Sequence, residues 1–280
     1  MNISMIGNCQ LEALGNLIIM NRNKFPFLSD VNITWTKPLF LLNEKNYVDL
    51  YKTLKESDFI LHQYHSDKWN HFATSNLKKY FNLLLLPNLE SEVSFPQLGV
   101  WKQYCYPVPE LYAYIDFRFL QLYLENVPVS RAPFEYSNIE LDNDRILSSV
   151  SDSAKKYKYL FENKKISVDY SNFYFKNLSE NQDEFFTFNH PSNKHLEFLL
   201  NQIFRLIGVD SIASINASEL LKSVFVPKLG TTQIDYFVRE SIGLNNAAKR
   251  YYSYYDQFDL SFLINEFKLS NLSKFLNERC

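Results

Sequence analysis

A lone thiol set between two carboxamides is the first group in the chain with chemical potential. Gly7-Asn8-Cys9-Gln10 follows a short apolar run and precedes Leu11, Leu14, Leu17 and Ile18 at helical spacing. A cysteine at a helix N-terminus faces unpaired backbone N–H groups and the positive end of the helix dipole. Both should favour the thiolate, the form in which cysteine is a nucleophile. The same N–H groups suit a developing oxyanion. The competing reading is a buried cysteine that only fills space. A second constellation, Phe188-Asn189-His190-Pro191, stands before a strongly amphipathic segment, with Pro191 suited to a first helical turn. An imidazole just ahead of a helix should stay neutral and able to accept a proton, as a general base must. A capping or core histidine is its structural counterpart.

His62-Gln63-Tyr64-His65, with Asp67 and His71 close behind, gathers three histidines within ten residues. Their spacing matches no common zinc signature and no cysteine is near, so no metal is expected. Gln63 falls at the end of a strand, where its amide is a candidate to orient substrate or donate to an oxyanion. The loop holding Phe95-Pro96, Trp101, Lys102, Tyr104 and Tyr106-Pro107 offers aromatic faces for a sugar or an adenine, or for packing.

These groups need a scaffold, and the hydrophobic pattern describes one. Strands are expected at 2–6, 31–35, 58–63 and 81–86, and helices at 43–56 and 70–80. Strands alternating with helices imply a mostly parallel sheet with helices on both faces, whose ligands sit at the carboxyl ends of the strands. Further helices are expected at 110–126 and 142–163, an extended segment at 184–188, and then a helix with Leu196, Leu199, Leu200, Ile203, Phe204 and Ile207 on one face. The tail from 214 should be mainly helical, including 260–277. The expected architecture is α/β: a single domain whose 1–87 βαβ core carries a loop and helical insertion at 88–183. The His-Pro motif and a helical C-terminal tail would occupy 184–280.

Composition narrows the classes. The 280 residues carry 29 basic and 31 acidic side chains, a balance unlike that of a dedicated nucleic-acid binder. Six glycines leave little material for a phosphate-binding loop. Cys9, Cys105 and Cys280 read as reduced thiols. With no signal-like N-terminus and no long apolar run, the expected location is the cytoplasm, at most peripheral to the inner membrane through a partner.

Taken together, Gly7-Asn8-Cys9-Gln10, the strand ending in Gln63, the Phe95-Pro96 loop and Asn189-His190-Pro191 resemble the WcbI family of polysaccharide biosynthesis proteins. The resemblance spans about residues 5–210. It implies a Rossmann-like sheet, a role in bacterial capsule assembly, and acetyl transfer from acetyl-coenzyme A, with no metal. On that reading Cys9 and His190 would be catalytic. Gly7, Asn8, Gln10, Gln63 and Asn189 would line the oxyanion and substrate site. Coenzyme A needs cations for its phosphates; Lys102, Lys228, Arg239 and Arg250 are available, and Lys102 is the one assigned. The acceptor would be a sugar, nucleotide sugar or polysaccharide, with capsule-assembly proteins as further partners. A more distant likeness is to SGNH hydrolases, whose Gly-Asp-Ser opening corresponds to Gly7-Asn8-Cys9. Their late Asp-x-x-His is broken here by Thr187. A carbohydrate esterase or deacetylase, and a non-catalytic capsule-assembly binding protein, are the alternatives.

Overall fold

The computed structural model describes residues 1–24, 28–42, 44–91, 98–100, 114–139, 143–180, 184–187, 189–209, 220–221, 243–256 and 260. Its contacts divide the chain into two compact units. The first comprises Met1–Glu90, Val150–Phe185 and Asn189–Val224, and the second Ser91–Ser149, Phe186–Phe188 and Phe225–Cys280. The segments anticipated as insertion and tail are thus shared between the units.

The first unit is built on strands β1 (Asn2–Ile6), β2 (Asn32–Trp35), β3 (Phe59–Gln63) and β4 (Leu83–Leu86), all parallel, in the order β2-β1-β3-β4. Helix α1 (Cys9–Asn21) leads from β1 to β2, and α2 (Glu44–Lys55) from β2 to β3. These two connections run in opposite directions along the sheet. Right-handed crossovers therefore put α1 and α2 on opposite faces. The alternation in β1 follows: Ile6 joins Ile60, Leu83 and Leu85 in a buried cluster with Leu50 and Leu54 of α2. On the other side, Gly15 of α1 comes so close to Thr36 that an added Cβ would lie 2.3 Å from its Cγ2.

Helix α3 (Thr74–Leu77) is short. The helix expected over 70–80 is instead a 3-10 segment, Asp67–Phe72, followed by this single turn. Asn70 takes φ 46° and ψ −111°, which breaks the helical path. Beyond β4, Ser167 Oγ accepts from Leu85 N at 3.0 Å, and Ser167 N donates to Leu85 O at 2.6 Å. The edge of the sheet is covered there.

In the second unit, β5 (Leu98–Val100) pairs antiparallel with β6 (Tyr114–Asp116). The helix expected over 110–126 begins only at α4 (Phe117–Leu124), because Asp116 caps it. The buried carboxylate accepts from the backbone N–H groups of Arg118 and Phe119 and from the Tyr136 hydroxyl. After α5 (Ala132–Glu135), α6 (Asn143–Glu162) matches its expected range closely. The first unit is completed by α7 (Ser171–Glu180), the short strand β8 (His190–Pro191) that follows β7 (Phe185–Thr187), and α8 (Asn193–Leu206), which packs on α1. Helix α9 (Gly243–Tyr255) stacks Tyr251 on Phe119 of α4. The helix expected over 260–277 lies outside the described residues, apart from Leu260. Among the described residues no helix is long and apolar enough to cross a membrane.

Candidate functional site

The sheet order reverses between β1 and β3. In an open α/β sheet this is where a crevice forms at the carboxyl ends of the strands. Gly7 leaves the end of β1 and Gln63 the end of β3, so the two amide-rich motifs meet across the reversal. Gln63 Oε1 accepts from Asn8 N at 3.0 Å, and Gln63 Nε2 donates to Gln10 Oε1 at 2.8 Å and to Pro87 O at 3.3 Å. Gly7 is obligatory for this approach: a Cβ there would lie 2.4 Å from Gln63 Oε1 and 2.8 Å from Leu11 Cδ1.

Asn8 is the N-cap of α1, its side chain accepting from Gln10 N at 2.9 Å. Cys9 is then the first helical residue. Gln10 reaches inward, where its Oε1 also accepts from Leu89 N at 3.0 Å. Its Nε2 donates to Leu89 O at 2.8 Å and to Asn189 O at 2.7 Å. This last bond ties the residue after Cys9 to the residue before His190, across 179 positions of chain. The turns bearing the thiol and the imidazole are therefore stitched together in one unit.

Two expectations are corrected here. Gln10 and Gln63 were anticipated as substrate or oxyanion donors. Every amide hydrogen of both is committed inside the protein, so they hold the crevice rather than line it. Asn8 differs: its Nδ2 has no protein partner among the described residues and stays a candidate donor. The thiol was anticipated as acidified by the helix N-terminus. Cys9 is 6% exposed, and burial pushes its pKa up to about 12, against the pull of the Cys9 and Gln10 backbone amides. The helix dipole is worth about 0.3–1 kcal/mol. A displacement from 9 to about 12 corresponds to about 4 kcal/mol, so desolvation wins.

His190 is 3% exposed, and burial alone lowers its pKa to about 3. The imidazole is neutral, as expected, although desolvation rather than the helix terminus is the cause. Ser192 caps α8, so Pro191 falls before the helix rather than in its first turn, and His190 stands two residues ahead of the cap. With the thiol raised and the imidazole lowered, each group is favoured in its neutral form. Glu184 braces this turn from behind: its backbone O accepts from Ser192 N at 2.8 Å, and its carboxylate meets Ser192 Oγ at 3.1 Å and Lys194 Nζ at 3.0 Å. Nothing in the spacing of Glu184 from His190 announced that brace.

Of the remaining candidates, His62 is buried in β3 with Nε2 2.8 Å from Thr74 Oγ1. Lys102, Lys228 and Arg239 lie outside the described residues, as do Phe95, Pro96, Trp101, Tyr104, Tyr106, Pro107, Cys105 and Cys280. Among the described residues no group of three His, Cys, Asp or Glu side chains is placed to hold a metal ion.

A strand-order switch point with a helix-initiating cysteine beside it defines an α/β protein whose candidate functional residues lie on the loops after β1 and β3. Family comparison makes the class particular. Residues 2–211 match the family described as polysaccharide biosynthesis enzyme WcbI, and the chain belongs to that family. A solved structure of WcbI, described as a novel polysaccharide biosynthesis enzyme, is similar over 99% of this chain and 98% of its own, with 16% identity and a TM-score of 0.69. That structure is described as the native protein without a disulfide bond between coenzyme A and one of its cysteines. No curated protein matches the chain.

Proposed function

We propose that, within polysaccharide biosynthesis, this chain transfers an acyl group from acetyl-coenzyme A to a sugar hydroxyl at the crevice beside Cys9 and His190. The observation that carries the reading is the Gln10 amide, which joins the thiol-bearing turn to the imidazole-bearing turn where the sheet order reverses. The coenzyme A named for the similar WcbI structure supports a thioester donor, and Cys9 is the one cysteine among the described residues of this chain.

The raised thiol argues against a standing thiolate, and direct transfer does without one. In direct transfer, the sugar oxygen attacks the thioester carbonyl carbon as a neutral imidazole takes the hydroxyl proton. The carbon–sulfur bond then breaks, and that proton passes to the departing coenzyme A sulfur. Asn8 Nδ2 is the side-chain donor for the oxyanion. Cys9 shapes the wall against which the thioester lies. Covalent catalysis would require the thiol proton to leave at the moment of attack.

A paired substitution separates the routes. Cys9→Ala is expected to retain turnover within about tenfold of the native protein if transfer is direct, and to lose about a thousandfold or more if an acyl-enzyme forms. Mass spectrometry of the native protein mixed with acetyl-coenzyme A reads the same choice as presence or absence of an acetylated Cys9. Thermal-shift titration tests the donor itself. Coenzyme A that binds the folded state raises the melting temperature by mass action, and no shift with either coenzyme removes it from the proposal.

A further inference from the structure

The loop after β3 presents a second imidazole, differently placed from His190. His65 is half-buried and follows Gln63 by two residues. Its backbone is pinned twice to Thr74: His65 N donates to Thr74 Oγ1 at 2.8 Å, and Thr74 N donates to His65 O at 3.0 Å. His65 Nδ1 lies 2.7 Å from Gln63 O. A carbonyl only accepts, so Nδ1 carries the proton and Nε2 carries the lone pair. Burial keeps the ring neutral by lowering its pKa. On one side the ring lies 5.3 Å from the buried His62 ring, and on the other 5.3 Å from Trp69, at 87°.

The break at Asn70 shapes this arrangement. A left-handed φ at a non-glycine residue is costly and persists where surrounding contacts demand it. Asn70 O accepts from Ala73 N and from the Asn76 amide, which holds the kink. Trp69, immediately before it, ends the first 3-10 turn edge to face with His65 and stays 37% exposed. Tyr64 is 63% exposed. Neither His65 Nε2 nor Trp69 Nε1 has a protein partner among the described residues. An acceptor on His65 and a donor on the accessible Trp69 are therefore left open on two rings in contact, on a firmly held loop.

We infer that His65 and Trp69 form a carbohydrate subsite, with His65 Nε2 accepting from one ring hydroxyl, Trp69 Nε1 donating to a hydroxyl oxygen, and the exposed indole surface covering the C–H face of a hexose. Amphipathic rings suit a ligand that is apolar on its faces and polar at its rim. The loop leaves the carboxyl end of β3, next to the strand that leads into Cys9. This deepens the acyl-transfer reading by assigning the residues that hold the acceptor, and it rests on that reading only for the statement that the bound sugar is acetylated.

The test uses saturation-transfer NMR of the full chain with a panel of methyl hexopyranosides and uridine-diphosphate hexoses. The native protein is expected to bind at least one of them through its ring C–H protons. Trp69→Ala is expected to weaken that binding about tenfold, and His65→Gln, which places an amide where the lone pair was, about fivefold. Binding unchanged in both variants, or no binding of any panel sugar to the native protein, overturns the subsite. Coenzyme A thermal shifts in the same samples separate the two proposals. Sugar binding with no coenzyme A shift sinks acyl transfer and leaves the subsite standing, and a coenzyme A shift without sugar binding does the reverse.

Discussion

The turn after β1 and the loop after β3 leave neighbouring strands at the same end of the sheet, yet they use their polar groups in opposite ways. At the first, Gln10 and Gln63 consume their hydrogen-bonding capacity on each other and on Asn8, Pro87, Leu89 and Asn189. At the second, Thr74 fixes the backbone and leaves the outward atoms of His65 and Trp69 without protein partners. Carboxamides that look catalytic in a sequence can be the mortar of a site, and the groups proposed to meet ligand are those the fold leaves unspent.

The sharpest way to break this contrast is Gln10→Ala. It strands the Leu89 N–H and C=O, the Asn189 C=O and one hydrogen of the Gln63 amide in a buried setting. Unmet buried groups cost about 1–3 kcal/mol each, so a loss of about 4 kcal/mol after partial relaxation is expected in urea unfolding. A loss below about 1 kcal/mol would mean the amide is not structural.

Acid provides the next largest effect. His62 and His190 both sit near 3 when folded, against an ordinary value of 6.5. Between those values the unfolded chain binds protons that the folded one refuses, so stability is fully present above about 6.5 and declines as pH falls toward 3. Asp116 acts the other way in its own window. Burial raises it to about 6 from 3.8, so acidification through that range favours the folded state and offsets part of the loss. A net drop of about 2–4 kcal/mol between pH 7 and pH 4.5 is expected from denaturation curves. Removing His190 as His190→Asn should flatten that slope.

The smallest effect sharpens the other half of the comparison. Trp69→Ala and Tyr64→Ala are expected to change stability by less than about 1 kcal/mol, since both side chains are substantially exposed. A large loss at Trp69 would recast it as packing for His65.

The scaffold was largely legible because period-two and period-3.6 patterns compete little in this chain. Strand β1 has its expected bounds, and α2, β3 and α6 differ by a residue or two. Tyr114, Ile115 and Phe117 blur the start of α4, since apolar spacing alone does not reveal that Asp116 turns inward as a cap. Asn70 hides its kink because asparagine is also tolerated within helices. The site was legible as a set of motifs and not as a set of roles. Gln10 declares its function only through partners 53, 79 and 179 positions away. The thiol's protonation depends on how much water the fold removes, a quantity that local spacing does not contain.

Ser167 has a bearing on how copies of this chain meet. By occupying both the N–H and the C=O of Leu85, it takes the template that a bare outer strand would offer to another polypeptide. A β-rich neighbour arriving at that flank would have to displace the serine before it could enrol β4 in a longer ribbon, so this one flank carries its own stop against edgewise polymerisation.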